Sequence, residues 1–331
     1  SDAGPQLLLL AGDQVYVDET AGLFDRMTTS GTRNMLDAGF DQSYEQNWRL
    51  PPFRRTSARL PVYMMMDDHE VSNDWPGQNG ATGPAQKNRE AAALKAYRRY
   101  QQDLGPKRRL GGKASRSYAL YPAGVPVFVL DTRTQRGARD ALTVDSATIV
   151  PDTVMTDLLR RLRRAPRHCA KFILSPSPIL PPERFDPASR AQRLRSDTWS
   201  GYPASLARLL GFIRDEEIRR VVLLSGDSHL STVSRFRFDG TDNQVVSIVS
   251  SGLYTPWPFA NQRQDDLVSY GGLDLGLPGV PCRGDQALLA ISAHCGYALI
   301  DLSQPGNGTS RLRVQLRSGD GQSVECTCDL A

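Results

Sequence analysis

No apolar run in this sequence approaches the ~20 residues that a bilayer-spanning helix requires, so none of its 331 residues reads as a transmembrane segment. Lysine is scarce, with five lysines against 35 arginines. The net charge of +4 is small and the basic residues are spread along the chain, which argues against a stable nucleic-acid partner. Arginine nevertheless suits bidentate phosphate contacts. The five cysteines (Cys169, Cys282, Cys295, Cys326 and Cys328) form neither a disulfide framework nor a zinc motif. Cys326 and Cys328 lie two apart in an alternating stretch and read as small core residues on one strand face. The stretch that opens on Ser1 has no basic n-region or apolar h-region and does not read as a signal peptide, so the compartment is unreadable from this end. Oligomeric state is equally illegible.

What is present fits a globular chain with a substantial core: 40% hydrophobic and 23% charged residues. Apolar runs bounded by turn residues predict strands at Leu7–Leu10, Val62–Met66, Val125–Leu130, Phe172–Leu174 and Val221–Leu224. Helical patterns fall between them, at Asn88–Leu104, Asp152–Arg164 and Ala204–Arg220. Strands alternating with helices imply an α/β layered fold. From about Val233 the pattern changes to alternation (VSRFRF, QVVSIVSS, YALIDL, RLRVQLR, SVECTC), predicting antiparallel strands with one solvated face. The simplest organisation is one domain over 1–331 with an antiparallel C-terminal sheet from about 233. The Pro/Gly-rich stretch from Ser251 to Gly284 reads as a long loop, with Trp257 or Phe259 placed to stack on a leaving group or to pack in the core.

Three predicted strands end on carboxylates. LLLLAGD ends at Asp13 with Tyr16 close behind. PVYMMMDDHEVSND supplies Asp67, Asp68, His69 and Asn73, and VVLLSGDSH supplies Asp227 and His229. Ligands gather outside the carboxyl ends of strands in open α/β sheets, so these ends converge if the strands are neighbours. Buried carboxylates repel unless a proton or a metal compensates. Asp, Asn, His and Tyr together make a mixed oxygen and nitrogen donor set for a hard or borderline metal, and two metals account for so many ligands better than one. A single Gly-Asp after a strand is ordinarily a turn, and a single histidine is ordinarily structural. The chain has only four histidines, however, and two of them stand beside strand-end aspartates. His168 and His294 read as structural.

The motifs GDQVYVD, MMDDHEVSND, VFVLDTRTQR and LLSGDSH, in that order, resemble those of PhoD-like phosphatases, also called alkaline phosphatase D. That family belongs to the metallophosphoesterase superfamily, whose purple acid phosphatases share the Gly-Asp-x-x-Tyr element. The resemblance runs from Leu7 to about Pro258. It implies a metallophosphoesterase-type layered α/β/β/α sandwich with mixed sheets, here without its first strand region. It also implies a bacterial, exported or periplasmic alkaline phosphatase or phosphodiesterase in which a metal-bridging hydroxide attacks phosphorus in line. Carried over, Asp13 bridges two metals, Tyr16 is a phenolate ligand to ferric iron, and Asp68, Asp227 and His229 are metal ligands. Asp67 is a ligand or a hydrogen-bond acceptor for one. His69 steers or protonates the reacting group. Arg133 or Arg136 meets the developing charge, and Asn73 orients phosphate or His69. The implied cofactors are Fe(III) and a divalent metal, calcium by family expectation, with manganese, zinc or magnesium compatible.

The sequence departs from the superfamily pattern in two places. The metal-binding strand end expected before LLLLAGD does not precede it here, and Ser175 and Ser177 in KFILSPSP stand where many members carry a histidine. The first departure raises an alternative, a catalytically incomplete phosphoester-binding protein that needs an upstream segment. Two hydrolase readings fail on residues. LSGDSHL resembles the GDSL-esterase nucleophile motif, but Ile291 occupies the position where a partner Asp-x-x-His ending at His294 needs aspartate. LDTRT lacks the Asp-x-Asp of haloacid-dehalogenase phosphatases, because position 133 is arginine.

Overall fold

The computed structural model describes residues 4–17, 32–76, 83–184, 186, 189–254, 263–277, 280–303 and 309–330. The chain divides into two compact units, Ser1–Lys107 and Arg108–Ala331.

The first unit contains β1 (Leu8–Leu10), α1 (Arg33–Trp48), α2 (Pro51–Ser57), β2 (Val62–Met64) and α3 (Pro84–Tyr100). β1 and β2 pair in parallel, Leu8 opposite Val62 and Leu10 opposite Met64, so both chains leave the sheet at the same end. α3 begins with Pro84 in its first turn, where a missing N–H costs nothing. It buries Ala92, Ala93, Ala96 and Tyr97. Small residues on that face let α1 approach closely, and α1 buries Leu36, Phe40 and Tyr44 at intervals of four. Exposed pairs such as Arg99–Asp41 at 2.8 Å lie along these two helices and contribute little.

The second unit contains β3 (Tyr118–Leu120), β4 (Val127–Val129), α4 (Asp152–Arg164), β5 (Lys171–Ser175), α5 (Arg190–Arg195), α6 (Pro203–Asp215), β6 (Val221–Ser225), β7 (Ser231–Phe238), β8 (Gln244–Val249), β9 (Tyr270–Asp274) and β10 (Arg283–Ser292). β11 (Gly296–Ser303), β12 (Ser310–Ser318) and β13 (Ser323–Leu330) follow. One eight-stranded mixed sheet runs β3-β4-β5-β6-β8-β7-β10-β9, and β11-β12-β13 form a separate antiparallel sheet. β4, β5, β6 and β8 are parallel neighbours. β5 and β6 are buried at every position, which explains their unbroken apolar runs. α4 and α6 cover this sheet, their Leu158, Leu162, Leu209 and Leu210 joining one core cluster with Ile173 and Leu223. Each such leucine contributes roughly 1.5–3 kcal/mol by leaving water.

Two expectations need correcting. Residues 233–331 do not form one antiparallel sheet, because β7 to β10 extend the eight-stranded sheet and only β11 to β13 stand apart. QVVSIV also lacks a solvated face: β8 runs parallel to β6, antiparallel to β7, and is buried from Val245 to Val249. Of the carboxylate-bearing strand ends, those of β1 and β2 are neighbours in one sheet, whereas β6 belongs to the other. No described helix is long and apolar enough to cross a membrane.

Candidate metal centre

Gly12 and Asp13 turn the chain out of β1. Both have positive φ, +106° and +57°. A side chain at Gly12 would place Cβ 2.3 Å from Asp67 Cβ and 3.1 Å from Asp67 N, so glycine here permits close approach of the turn that follows β2. The left-handed conformation at Asp13 is tolerable for aspartate and aims its carboxylate back across the sheet end. His69 N–H points at Asp13 Oδ1, 3.4 Å away. Gly12→Ala therefore meets both a wrong φ and a backbone neighbour. It is expected to cost about 2–3 kcal/mol, read as a lower urea midpoint.

The turn after β2 winds tightly, with Val71 N–H and Ser72 N–H donating to the Asp68 carbonyl at 2.7 and 2.8 Å. It buries Asp67, Asp68 and His69 to 0, 2 and 6% exposure. One oxygen each from Asp13 and Asp68 and one ring nitrogen of His69 lie within 4.8 Å of one another. Two carboxylates that close, at least one of them out of water, call for a compensating cation, and their hard oxygen donors with one imidazole suit a trivalent or divalent ion. The residues fit the metal site that the motifs imply. The Tyr16 ring packs on His69, centroids 4.5 Å apart, and is half-buried. Asn73 is exposed and donates to Asp74 Oδ2 at 3.0 Å. Asp74 N–H donates to Asp68 Oδ2.

Glu70 was not among the sequence candidates, yet it ties both turns together. Its fully buried carboxylate accepts N–H groups from Asp67 at 2.8 Å, Gln14 at 2.9 Å and Asp13 at 3.2 Å, and the Gln101 amide at 3.3 Å. Burial pushes the Glu70 carboxyl above its ordinary range, and those donors oppose the shift. The visible signal was its place in DDHE. A carboxylate that close to the others reads as a ligand candidate, whereas here it accepts three backbone N–H groups and the Gln101 amide.

The second unit repeats one feature of the first turn. Asp227 follows Gly226 after β6 with φ +62°, again a left-handed aspartate at a strand end. Residues of this kind cluster where function holds them. Arg133 is fully buried and its Nη2 lies 3.6 Å from Asp227 Oδ1, while Nη1 bonds Asp197 Oδ2. Arg136 bonds the other Asp197 oxygen, Ser177 Oγ at 2.9 Å and the Thr132 carbonyl at 2.7 Å. Burial opposes the Asp197 charge, but the two guanidiniums prevail and hold its carboxyl below the ordinary range. Asp131 fixes the loop by accepting Arg133 N–H at 3.0 Å and Thr134 N–H at 2.9 Å. Ser177, at a position where a histidine was looked for, is a hydroxyl in this network, 3.1 Å from Thr132 Oγ1. Asp197 went unnoticed because RSDTWSG carries no recognisable pattern. His229 is half-buried beside Asp227 in sequence. His168 and His294 are exposed, the latter 3.6 Å from Asp320. Trp257 and Phe259 lie outside the described residues.

The family model for PhoD-like phosphatase matches residues 1–266. The chain belongs to the PhoD-like phosphatase family. Alkaline phosphatase D of Bacillus subtilis (strain 168) is 26% identical over 227 residues, covering 63% of this chain and 38% of the relative. A solved structure titled "Structure of PhoD" shares the fold, with a TM-score of 0.64 at 16% identity over 98% of this chain and 64% of its own. The chain thus spans well under half of the curated relative's length and under two thirds of the solved one.

Proposed function

We propose that this chain hydrolyses phosphomonoesters, phosphodiesters or both. The observation that carries the reading is the donor set of half-buried Asp13 with buried Asp68 and His69, in a chain of PhoD-like sequence. Asp13, Tyr16, Asp67 and Asp68 are the residues of the first unit that we assign to metal binding, and Asp227 and His229 those of the second; the metals we assign are Fe(III) and a divalent ion. We take that ion to be calcium, with manganese, zinc or magnesium as substitutes. Bound there, such ions would lower the pKa of water and neutralise charge developing at phosphorus.

The remaining roles rest on the chain's own groups. The left-handed turn fixes the Asp13 carboxylate, and Glu70 holds that turn by its N–H groups. A phenol gives up its proton near neutral pH only to a strong local charge, and Tyr16 is the phenol we assign to the ferric position. His69 is buried, its backbone N–H directed at Asp13 and its ring braced by Tyr16, so the imidazole has little freedom. We assign it the proton or hydrogen bond given to the reacting phosphoryl group or its leaving oxygen. Arg133 is pinned between Asp197 and Asp227, and we read it as orienting Asp227.

Elemental analysis of metal-replete protein, paired with turnover of p-nitrophenyl phosphate and bis-p-nitrophenyl phosphate, tests the proposal. Two metals per chain with turnover of either ester supports it; phosphate binding with no turnover of either overturns it. An active sample without iron or a visible phenolate band would remove Tyr16 from its assigned role. His69→Ala is expected to retain both metals and lose about 10²-fold in turnover. Unchanged turnover would withdraw the assignment.

A further inference from the structure

β13 closes one edge of the three-stranded sheet and carries Cys326 and Cys328 on one face. Their register partners are Val314 and Leu312 of β12, both fully buried, so the two thiols sit on the covered face of the sheet. The Sγ atoms are 3.6 Å apart. Cys328 is buried and Cys326 half-buried, so one thiol is reachable and the other lies behind it. Arg235 of β7 acts on both sulfurs with its positive charge, and its buried Nε has no hydrogen-bond partner among the described residues. A two-apart pair was expected to be inert core. The sulfur contact and the nearby guanidinium give it another character.

The two thiols are not equivalent. The hydrogen bond it shares with Cys328 pulls the Cys326 thiol down to about 7; burial works against this, and Arg235 adds to it. The same bond, with burial, pushes Cys328 far above its ordinary range. With the Cys326 thiol near 7, a substantial share of the more accessible sulfur is thiolate at neutral pH, in hydrogen-bond contact with Cys328 Sγ. That is the polarity of an attacking and a resolving cysteine.

We propose that Cys326 and Cys328 are a redox-active dithiol that exchanges with disulfides. The Cys326 thiolate attacks one sulfur of R–S–S–R, that S–S bond breaks, and R–S⁻ leaves as the mixed disulfide forms. R–S⁻ takes up the proton that Cys328 gives up. The Cys328 thiolate then attacks Cys326 Sγ, the mixed disulfide breaks, and the second R–S⁻ leaves and is protonated from solvent at neutral pH. The protein has lost two electrons, R–S–S–R has become two R–SH, and charge and protons balance. Residues two apart on a strand have Cα atoms about 6.6 Å apart, at the upper limit for a disulfide, and the strand must pucker locally to bring their near-parallel Cβ atoms to within about 4 Å. Closure so near that limit makes the oxidised form easy to reduce, the property of an exchanging bridge rather than a structural one. The cation of Arg235 favours a thiolate and disfavours a bound metal ion, which sets disulfide exchange above capture of a soft metal.

The test uses the full chain, reduced, then incubated at pH 7 with oxidised glutathione, alkylated and mapped by mass spectrometry. The expected result is a Cys326–Cys328 peptide lacking two hydrogens and refractory to alkylation until dithiothreitol is added. Cys169, Cys282 and Cys295 should remain alkylated at the same oxidant concentration. Cys328→Ser should stop at a glutathione adduct on Cys326, and Cys326→Ser should react at least ~10-fold more slowly. Unchanged melting by circular dichroism in both variants shows that they are folded. Full alkylation of both cysteines in the oxidised wild type overturns the proposal, as does an adduct that accumulates on Cys328. Retention of a stoichiometric soft metal by the reduced pair, with no disulfide formed, would assign the site to metal binding instead.

Discussion

Asp13→Asn is expected to abolish metal retention and to lower phosphoester turnover by ~10³-fold or more. The choice of asparagine follows from the backbone. Asp13 sits at φ +57°, a conformation that asparagine adopts readily and alanine does not. Asp13→Ala would remove the carboxylate and strain the turn together, and a loss of activity would then have two causes. Asparagine keeps the size of the side chain, the turn and the two N–H groups that Glu70 accepts, and removes only the charge. An unchanged urea midpoint with loss of both metals assigns the effect to the carboxylate. A variant with wild-type metal content and turnover would show that Asp13 is not a ligand, and the proposed mechanism would fall with it.

Much of this centre was readable from the sequence because its pieces obey local rules. A buried parallel strand needs an unbroken apolar run, and a turn that must reverse sharply on an acid needs glycine before it. The first requirement wrote the run of β6, and the second wrote Gly12 before Asp13 at the end of β1. α4 was legible to the residue, because Pro151 precedes it and its leucines recur at helical spacing against the core. α1 was not. Its buried stripe of Leu36, Phe40 and Tyr44 is diluted by Asp37, Asp41 and Glu45, and only packing against the small face of α3 makes it amphipathic in effect. β8 was misread because alternation and double burial look alike over six residues. Glu70 and Asp197 were invisible for a different reason. What they do is accept bonds from groups far along the chain, and no local period records that.

Asp197→Ala is expected to cost about 3–5 kcal/mol, because it leaves the guanidiniums of Arg133 and Arg136 buried without their shared counter-ion. Those side chains are 0 and 2% exposed, and Asp197 is 19% exposed, so solvent does little to screen the loss. The network also has a pH signature. Its carboxyl is depressed in the native state, so its contribution is complete above the ordinary carboxylate pKa of about 3.9 and is lost as pH falls through the lower native value. Urea midpoints of wild type and variant should therefore differ fully at pH 7 and converge in strong acid. A double-mutant cycle separates this from simple truncation. Asp197→Ala and Arg136→Met combined should destabilise less than the sum of the two single changes, because one buried charge has been removed along with its partner. Additive losses, or a gap that persists in acid, would mean that Asp197 acts by packing and that Arg133 reaches Asp227 without its help.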